Sequence, residues 1–136
     1  FEDLLERSDC VMLHAPLNDE THHLFSTDEF KRMKETAILI NVARGPLVDE
    51  AALVEAVESD EIRAAGLDVY EDEPPTDSPV LDSRDIVCSP HHAGSSPEAK
   101  ENKIRIVREE LERVLEGKPL HNIVNQEVYQ YQEQSR

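Results

Sequence analysis

The sequence predicts an α/β fold built on a parallel sheet, and three observations carry that prediction. Short apolar runs alternate with amphipathic stretches along 136 residues, the pattern of strands joined by crossover helices. The runs are apolar without interruption, as in parallel strands covered on both faces. Each run closes in a polar segment containing Pro or Gly, which gathers charged residues at one edge of the sheet. In open α/β sheets that edge is where ligands bind.

Phe1, Leu4 and Leu5 are spaced like the last turns of an amphipathic helix ending near Ser8. The run from Asp9 through Cys10-Val-Met-Leu to Ala15 predicts a first buried strand, closed by Pro16. After a polar loop, Ser26-Thr-Asp-Glu29 has the spacing of a capping box and predicts a short helix over about Thr27 to Met33. Ala37 to Val42 is a second strand, broken by Arg44-Gly45-Pro46. Asp49-Glu50 opens a helix on which Leu53, Val54, Ala56 and Val57 form one stripe. Ile62 to Val69 is a third strand, and a Pro-rich acidic loop runs from Tyr70 to Asp82. Ile86-Val-Cys88 is a short fourth strand. Ser96-Pro97-Glu98 starts a long helix with Pro at its first position, lined on one side by Ile104, Val107, Leu111, Val114 and Leu115. Gly117-Lys-Pro119 stops it, and the remaining residues, with Tyr129 and Tyr131, read as polar and loose.

The length suits one domain with a real core and is too short for two ordinary ones. Thirty acidic against fourteen basic residues give a formal charge of −16, which argues against a nucleic-acid backbone or an anionic membrane as partner. The excess reads first as a solvated surface. A second reading is adaptation to high salt, where screening removes self-repulsion, and nine Arg against five Lys fit it. Cys10 and Cys88 lie in apolar runs with no Cys-x-x-Cys pair, so buried free thiols in a reducing compartment are expected. No stretch approaches the roughly 20 apolar residues needed to span a bilayer. Phe1-Glu2-Asp3 lacks the start of a secretory leader, which gives a cytoplasmic protein as the expectation. The missing initiating Met gives the further expectation that the chain begins inside a longer protein.

Three polar constellations fall at the carboxyl ends of successive strands: Asn41-Val-Ala-Arg44-Gly45, Asp68-Val-Tyr-Glu-Asp-Glu73-Pro74, and Pro90-His91-His92-Ala93-Gly94. Together an Arg, a carboxylate and a His suit proton-coupled chemistry on a carboxylate substrate. Arg holds a carboxylate through two parallel charge-assisted hydrogen bonds, and His moves a proton near neutral pH when a carboxylate orients its ring. Taken singly, Arg44 also fits a turn cap or a surface ion pair, and Glu73 fits a solvated run with Glu71, Asp72 and Asp77. Asp68 closes an apolar strand and needs a partner. Cys10, Cys88, His14, His22 and His23 lack metal-ligand spacing, so no metal is expected. No Gly-x-Ser-x-Gly elbow points to a serine nucleophile.

Four motifs, His14-Ala-Pro16-Leu, Asn41-Val-Ala-Arg-Gly45, Gly66-Leu-Asp-Val-Tyr-Glu-Asp-Glu-Pro74 and Pro90-His-His-Ala-Gly94, occur in this order along almost the whole chain. In content and spacing they resemble the signatures of the D-isomer-specific 2-hydroxyacid dehydrogenases. The resemblance implies the second half of a Rossmann-like doubly wound parallel sheet followed by a long C-terminal helix. Residues 1–94 would be the C-terminal half of the dinucleotide-binding domain, and residues 95–136 a connecting helix and tail returning toward a substrate domain. It further implies His91 as acid/base, Glu73 as its hydrogen-bond partner, and Arg44 as ligand of the substrate carboxylate and carbonyl. Asp68 matches the contact to the nicotinamide carboxamide, and Ala43, Pro16, Thr21 and Gly94 match positions lining the cofactor, beside Arg44 and His91 themselves.

The implied activity is transfer of a hydride between NAD or NADP and a D-2-hydroxy acid or 2-keto acid, in a full-length homodimer. The chain departs from the pattern in two ways. His92 stands where relatives carry an aliphatic residue, although the place directly after Pro90 favours His91. The four glycines, Gly45, Gly66, Gly94 and Gly117, allow no Gly-x-Gly-x-x-Gly, so the phosphate loop and the residue selecting NAD over NADP are expected upstream of Phe1. The isolated fragment is then expected to be inactive. The alternative function is a nucleotide-sensing, corepressor-like interaction module of the same fold. Formate dehydrogenases are disfavoured because they carry Gln where this chain has Glu73.

Overall fold

In the computed structural model, residues 1–125 are described; the segment with Tyr129 and Tyr131 lies outside them. Two compact units divide the chain, Phe1–Ala93 and one beginning at Gly94.

The first unit contains α1 (Glu2–Arg7), β1 (Cys10–Leu13), α2 (Thr27–Arg32), β2 (Ile38–Asn41), α3 (Glu50–Glu58), β3 (Ala64–Leu67) and β4 (Ile86–Cys88). The strands form one parallel sheet in the order β1-β2-β3-β4. Every predicted strand and helix is present, with β1, β2 and β3 one or two residues shorter at each end. The chain must leave the ladder to enter its connections, and apolar content alone does not mark where.

The register has a direct consequence for the site. Leu13, Asn41, Leu67 and Cys88 pair in one row across all four strands. The four strands therefore end together, and the loop leaving each of them emerges at a common edge. On the covered face, Val11, Leu39, Ala65 and Ile86 form one row and pack with Leu5, Phe25, Phe30, Leu47, Leu53, Val57 and Ile62 in a single core. Val54 is only partly buried against that core. At the start of α2 the Ser26 N–H donates to the Glu29 carboxylate at 3.1 Å, as its sequence predicts.

The expectation of strands buried on both faces is corrected. Side chains alternate along a strand; one set is buried, while the other is only half-buried in β2 and β3. Met12 and Val87, on the other face, are exposed. The same alternation overturns the expectation for the cysteines. Cys10 shares the uncovered face and is exposed, while Cys88, on the covered face at the end of an edge strand, is half-buried. Both thiols are free.

The second unit is dominated by α4 (Pro97–Leu115). Ser96 caps it by accepting the Ala99 N–H at 3.1 Å, and Arg105–Glu109 and Arg108–Glu112 ion pairs run along its surface. The predicted stripe of Ile104, Val107, Leu111, Val114 and Leu115 is present and exposed. No helix among the described residues is long and apolar enough to cross a membrane.

Candidate active site

Three loops at the carboxyl edge of the sheet place the predicted residues. After β2, the fully buried Asn41 shapes the turn with its own amide: Nδ2 donates to the Arg44 carbonyl at 2.8 Å, and Oδ1 accepts the Ala43 N–H at 3.1 Å. Arg44 is thereby held at the surface. Its Nη1 donates to the Ala43 carbonyl at 2.6 Å, and among the described residues no carboxylate pairs with it. Gly45 comes next because nothing larger fits. A Cβ there would lie 1.8 Å from the Tyr70 carbonyl oxygen.

After β3, Asp68 is buried and answers the need for a partner that its position raised. One oxygen accepts the Ser89 hydroxyl at 2.6 Å and the His92 N–H at 2.8 Å; the other accepts the Ala93 N–H at 2.9 Å. Burial alone would raise the pKa of this carboxyl. The hydrogen bonds from Ser89, Ala93 and His92 outweigh it and hold the group below the usual carboxylate range. Tyr70 adds a second tie, its buried hydroxyl donating to the Ser89 carbonyl at 2.8 Å. Burial, reinforced by the neighbouring Cys88, pushes that phenol up to about 12, so it stays a donor. The strand-end loop after β4 is thus fastened to the end of β3 by one carboxylate and one phenol.

That fastening presents His91 to Glu73. His91 sits in the left-handed region at φ 53°, a conformation that costs free energy for a residue with a Cβ and gathers at functional sites. Its Nδ1 lies 2.8 Å from Glu73 Oε2. The other Glu73 oxygen accepts the Tyr70 N–H at 3.2 Å. The hydrogen bond from His91 outweighs partial burial and holds the Glu73 carboxyl below its ordinary range. With Nδ1 committed to the carboxylate, Nε2 has no partner among the described residues and is the nitrogen able to exchange a proton. His92 contributes its backbone N–H to Asp68, which distinguishes the two adjacent histidines.

His14, Ala15, Pro16, Leu17, Ala43 and Arg44 line a concave site of about 520 Å³ at the ends of β1 and β2. Thr21 braces its wall, with Oγ1 donating to the Pro16 carbonyl at 2.7 Å and accepting the Asn18 N–H at 2.9 Å. Of the residues singled out in the sequence, His91 and Glu73 touch, and Asp68 reaches them through the 89–93 backbone. Pro16, Ala43 and Arg44 share the cavity. Arg44 makes no hydrogen bond or ion pair with His91 or Glu73, and Gly94 has nothing within 4 Å of where a Cβ would be. Sequence reasoning gave no role to Ser89 or Tyr70. The signal for Ser89 was the demand for a partner at Asp68, which fixed the need but not the donor.

The family model described as D-isomer specific 2-hydroxyacid dehydrogenase, NAD binding domain, matches residues 1–93. A glyoxylate/hydroxypyruvate reductase B from Enterobacter sp. (strain 638) is 47% identical over 129 residues, covering 94% of this chain and 40% of the relative. Among solved structures, D-lactate dehydrogenase with NAD+ from Lactobacillus jensenii superposes with a TM-score of 0.83 at 32% identity, over 91% of this chain and 42% of that one. A D-isomer specific 2-hydroxyacid dehydrogenase from Xanthobacter autotrophicus Py2, in complex with NADPH and MES, gives a TM-score of 0.76 at 35% identity, over 89% and 50%. The chain therefore spans half or less of the length of these relatives.

Proposed function

Because the chain belongs to the D-isomer specific 2-hydroxyacid dehydrogenase family through its NAD-binding domain, we propose that the complete protein is an oxidoreductase interconverting a D-2-hydroxy acid and a 2-keto acid with NAD or NADP. The observation that carries the reading is the 2.8 Å contact between Glu73 and His91 at the same sheet edge as the Arg44 guanidinium, which no described carboxylate neutralises. The cavity walls fit the nicotinamide end of the cofactor. Pro16 and Ala43 offer apolar surface, and Arg44 borders it. When bound, the cofactor supplies or receives the hydride at substrate carbon 2.

The residues of this chain do the rest. Arg44 binds the substrate carboxylate and orients the carbonyl. His91, protonated at Nε2, delivers a proton to the carbonyl oxygen during reduction and takes it back during oxidation. Glu73 fixes the ring through Nδ1 and stabilises the imidazolium. Asp68 and Tyr70 hold the backbone that carries His91; Asp68 would also hold the nicotinamide carboxamide of a bound cofactor. Pro16, Ala43, Thr21 and Gly94 line or brace the cofactor side.

Residues 95–136 would connect back to a substrate domain, the complete protein would be a cytoplasmic homodimer, and the substrate a small 2-keto acid. Relatives named as glyoxylate/hydroxypyruvate reductase and D-lactate dehydrogenase support this class, and they disfavour the corepressor-like alternative. The test monitors NADH or NADPH consumption by the complete protein against glyoxylate, hydroxypyruvate and pyruvate. Turnover of at least one is expected, and none with any 2-keto acid ends the reading. Light scattering of the same preparation checks the dimer.

A further inference from the structure

Glu73 does not lie on a strand or helix. It sits in the irregular segment between β3 and β4, so the sheet register alone does not determine where its carboxylate falls. Tyr70 fixes the entry to this segment. Its far side is fixed by a residue of another element. Glu50, the first residue of α3, is 6% exposed. Its Oε1 accepts the Glu71 N–H at 2.7 Å, and its Oε2 accepts the Ser78 hydroxyl in a very short hydrogen bond. The tie is reciprocal, because Glu71 Oε1 accepts the Glu50 N–H at 3.0 Å. The same Glu71 oxygen lies 3.1 Å from His23 Nε2. Residues 71 and 78, which bracket Glu73, thus hang on one buried carboxylate.

The helix itself does not require this arrangement. Asp49 already caps α3, accepting the Ala52 N–H at 3.0 Å. An acidic residue in the first turn is ordinarily explained by the helix dipole and stays exposed. Burying it is costly unless hydrogen bonds compensate, and here every compensating bond leads into the loop that carries Glu73.

We infer that Glu50 is a positioning residue, a latch that holds the Glu71–Ser78 loop so that Glu73 stays in register with His91. The inference rests on the proposed roles of His91 and Glu73. Glu50 makes no hydrogen bond or ion pair with His91 and does not line the cavity bordered by Arg44, so it acts through Glu73. Displacing a catalytic group by about 1 Å costs up to about 10²-fold in rate, and an irregular segment freed at one end permits such displacement.

The experiment compares Glu50→Ala and Ser78→Ala with the unmodified complete protein and with Glu73→Gln. For correctly folded Glu50→Ala, kcat should fall about tenfold or more, with KM for the 2-keto acid within about threefold, since Asn41 holds Arg44 independently. In the Glu73→Gln background, Glu50→Ala should cost less than about twofold further, because the residue through which it acts is already disabled. Ser78→Ala should shift kcat a few-fold in the same direction, and it serves where Glu50→Ala does not fold. A readout independent of turnover is the carbon-13 titration of the Glu73 carboxyl. It should lie below the ordinary carboxylate range in the unmodified protein and return toward that range in Glu50→Ala. Unchanged kcat and unchanged Glu73 titration in the folded variants, or losses that multiply in the double variant, overturn the latch. An unmodified protein without turnover instead ends the functional reading, and the Glu73 titration then decides the latch alone.

Discussion

His91 and Glu73 form a pair joined by a 2.8 Å contact between Nδ1 and Oε2. The Glu73 carboxyl is held below its ordinary range first by the hydrogen bond from His91. A carboxyl whose folded pKa is lowered adds stability that is fully present above its unfolded value and is lost as pH falls through the folded one. Replacing His91 by Ala should therefore move the Glu73 titration upward, as carbon-13 spectra of the carboxyl would show; an unmoved titration would mean that the pair does not form. Asp68 makes a different prediction. In Asp68→Asn one oxygen becomes an NH2 facing protein donors, so at least one of the bonds from Ser89, His92 and Ala93 is lost. Chemical denaturation should show a loss of about 1–3 kcal/mol, together with reduced turnover as the 89–93 loop loosens. Tyr70→Phe, leaving the Ser89 carbonyl without its phenol donor, should cost about 1 kcal/mol in the same measurement. These roles were unevenly visible in the sequence. The strand-end motifs brought an Arg, a carboxylate and a His to one edge, the family resemblance implied Glu73 as the partner of His91, and a charge at the end of an apolar strand demanded a partner for Asp68. Glu50 looked like any acid opening a helix, because burial, not identity, distinguishes it.

The turn after β2 touches the loop after β3 at Gly45 and Tyr70. Gly45 allows that approach. A Cβ at this position would lie 1.8 Å from the Tyr70 oxygen and 1.9 Å from its carbon, and backbone atoms cannot rotate out of the way. Gly45→Ala should destabilise the fold by at least about 2 kcal/mol in urea, and it should disturb Arg44 and Glu73 at once because both flank the contact. A variant of unchanged stability would show that the two loops do not pack as described. The strands themselves were readable from their apolar runs, and the parallel arrangement from their alternation with helices. Which face of each strand is covered was not readable. A run such as Cys10-Val-Met-Leu13 carries apolar residues at every position, so the pattern holds no phase information. Val11 and Leu13 are buried while Met12 is exposed. The α4 stripe shows the complementary case: its period is plain in the sequence, and its side chains are exposed.

At the level of the whole molecule, charge and cofactor affinity give the accessible tests. A formal charge of −16 on 136 residues implies self-repulsion that salt screens, with a Debye length of about 10 Å at 0.1 M and about 3 Å at 1 M. The melting temperature of this chain should rise between low salt and 1 M KCl; a flat or falling profile would assign the acidic residues to neutral surface decoration. The phosphates of a dinucleotide are ordinarily held by a Gly-rich turn at a helix N-terminus, and this sequence has no Gly-x-Gly-x-x-Gly. Titration of the 136-residue chain with NADH should accordingly give an affinity weaker than about micromolar, and micromolar binding would relocate the binding determinants into it. The catalytic reading rests on strands that end in one row, Leu13, Asn41, Leu67 and Cys88, and on the loops after them, which carry Arg44, Glu73 and His91. The decisive measurement is steady-state reduction of the best 2-keto acid by the complete protein carrying His91→Ala. If His91 moves the proton, kcat should fall by about 10²-fold or more with the fold intact; a rate close to that of the unmodified protein would remove His91, and with it the assignment of Glu73, from the reaction.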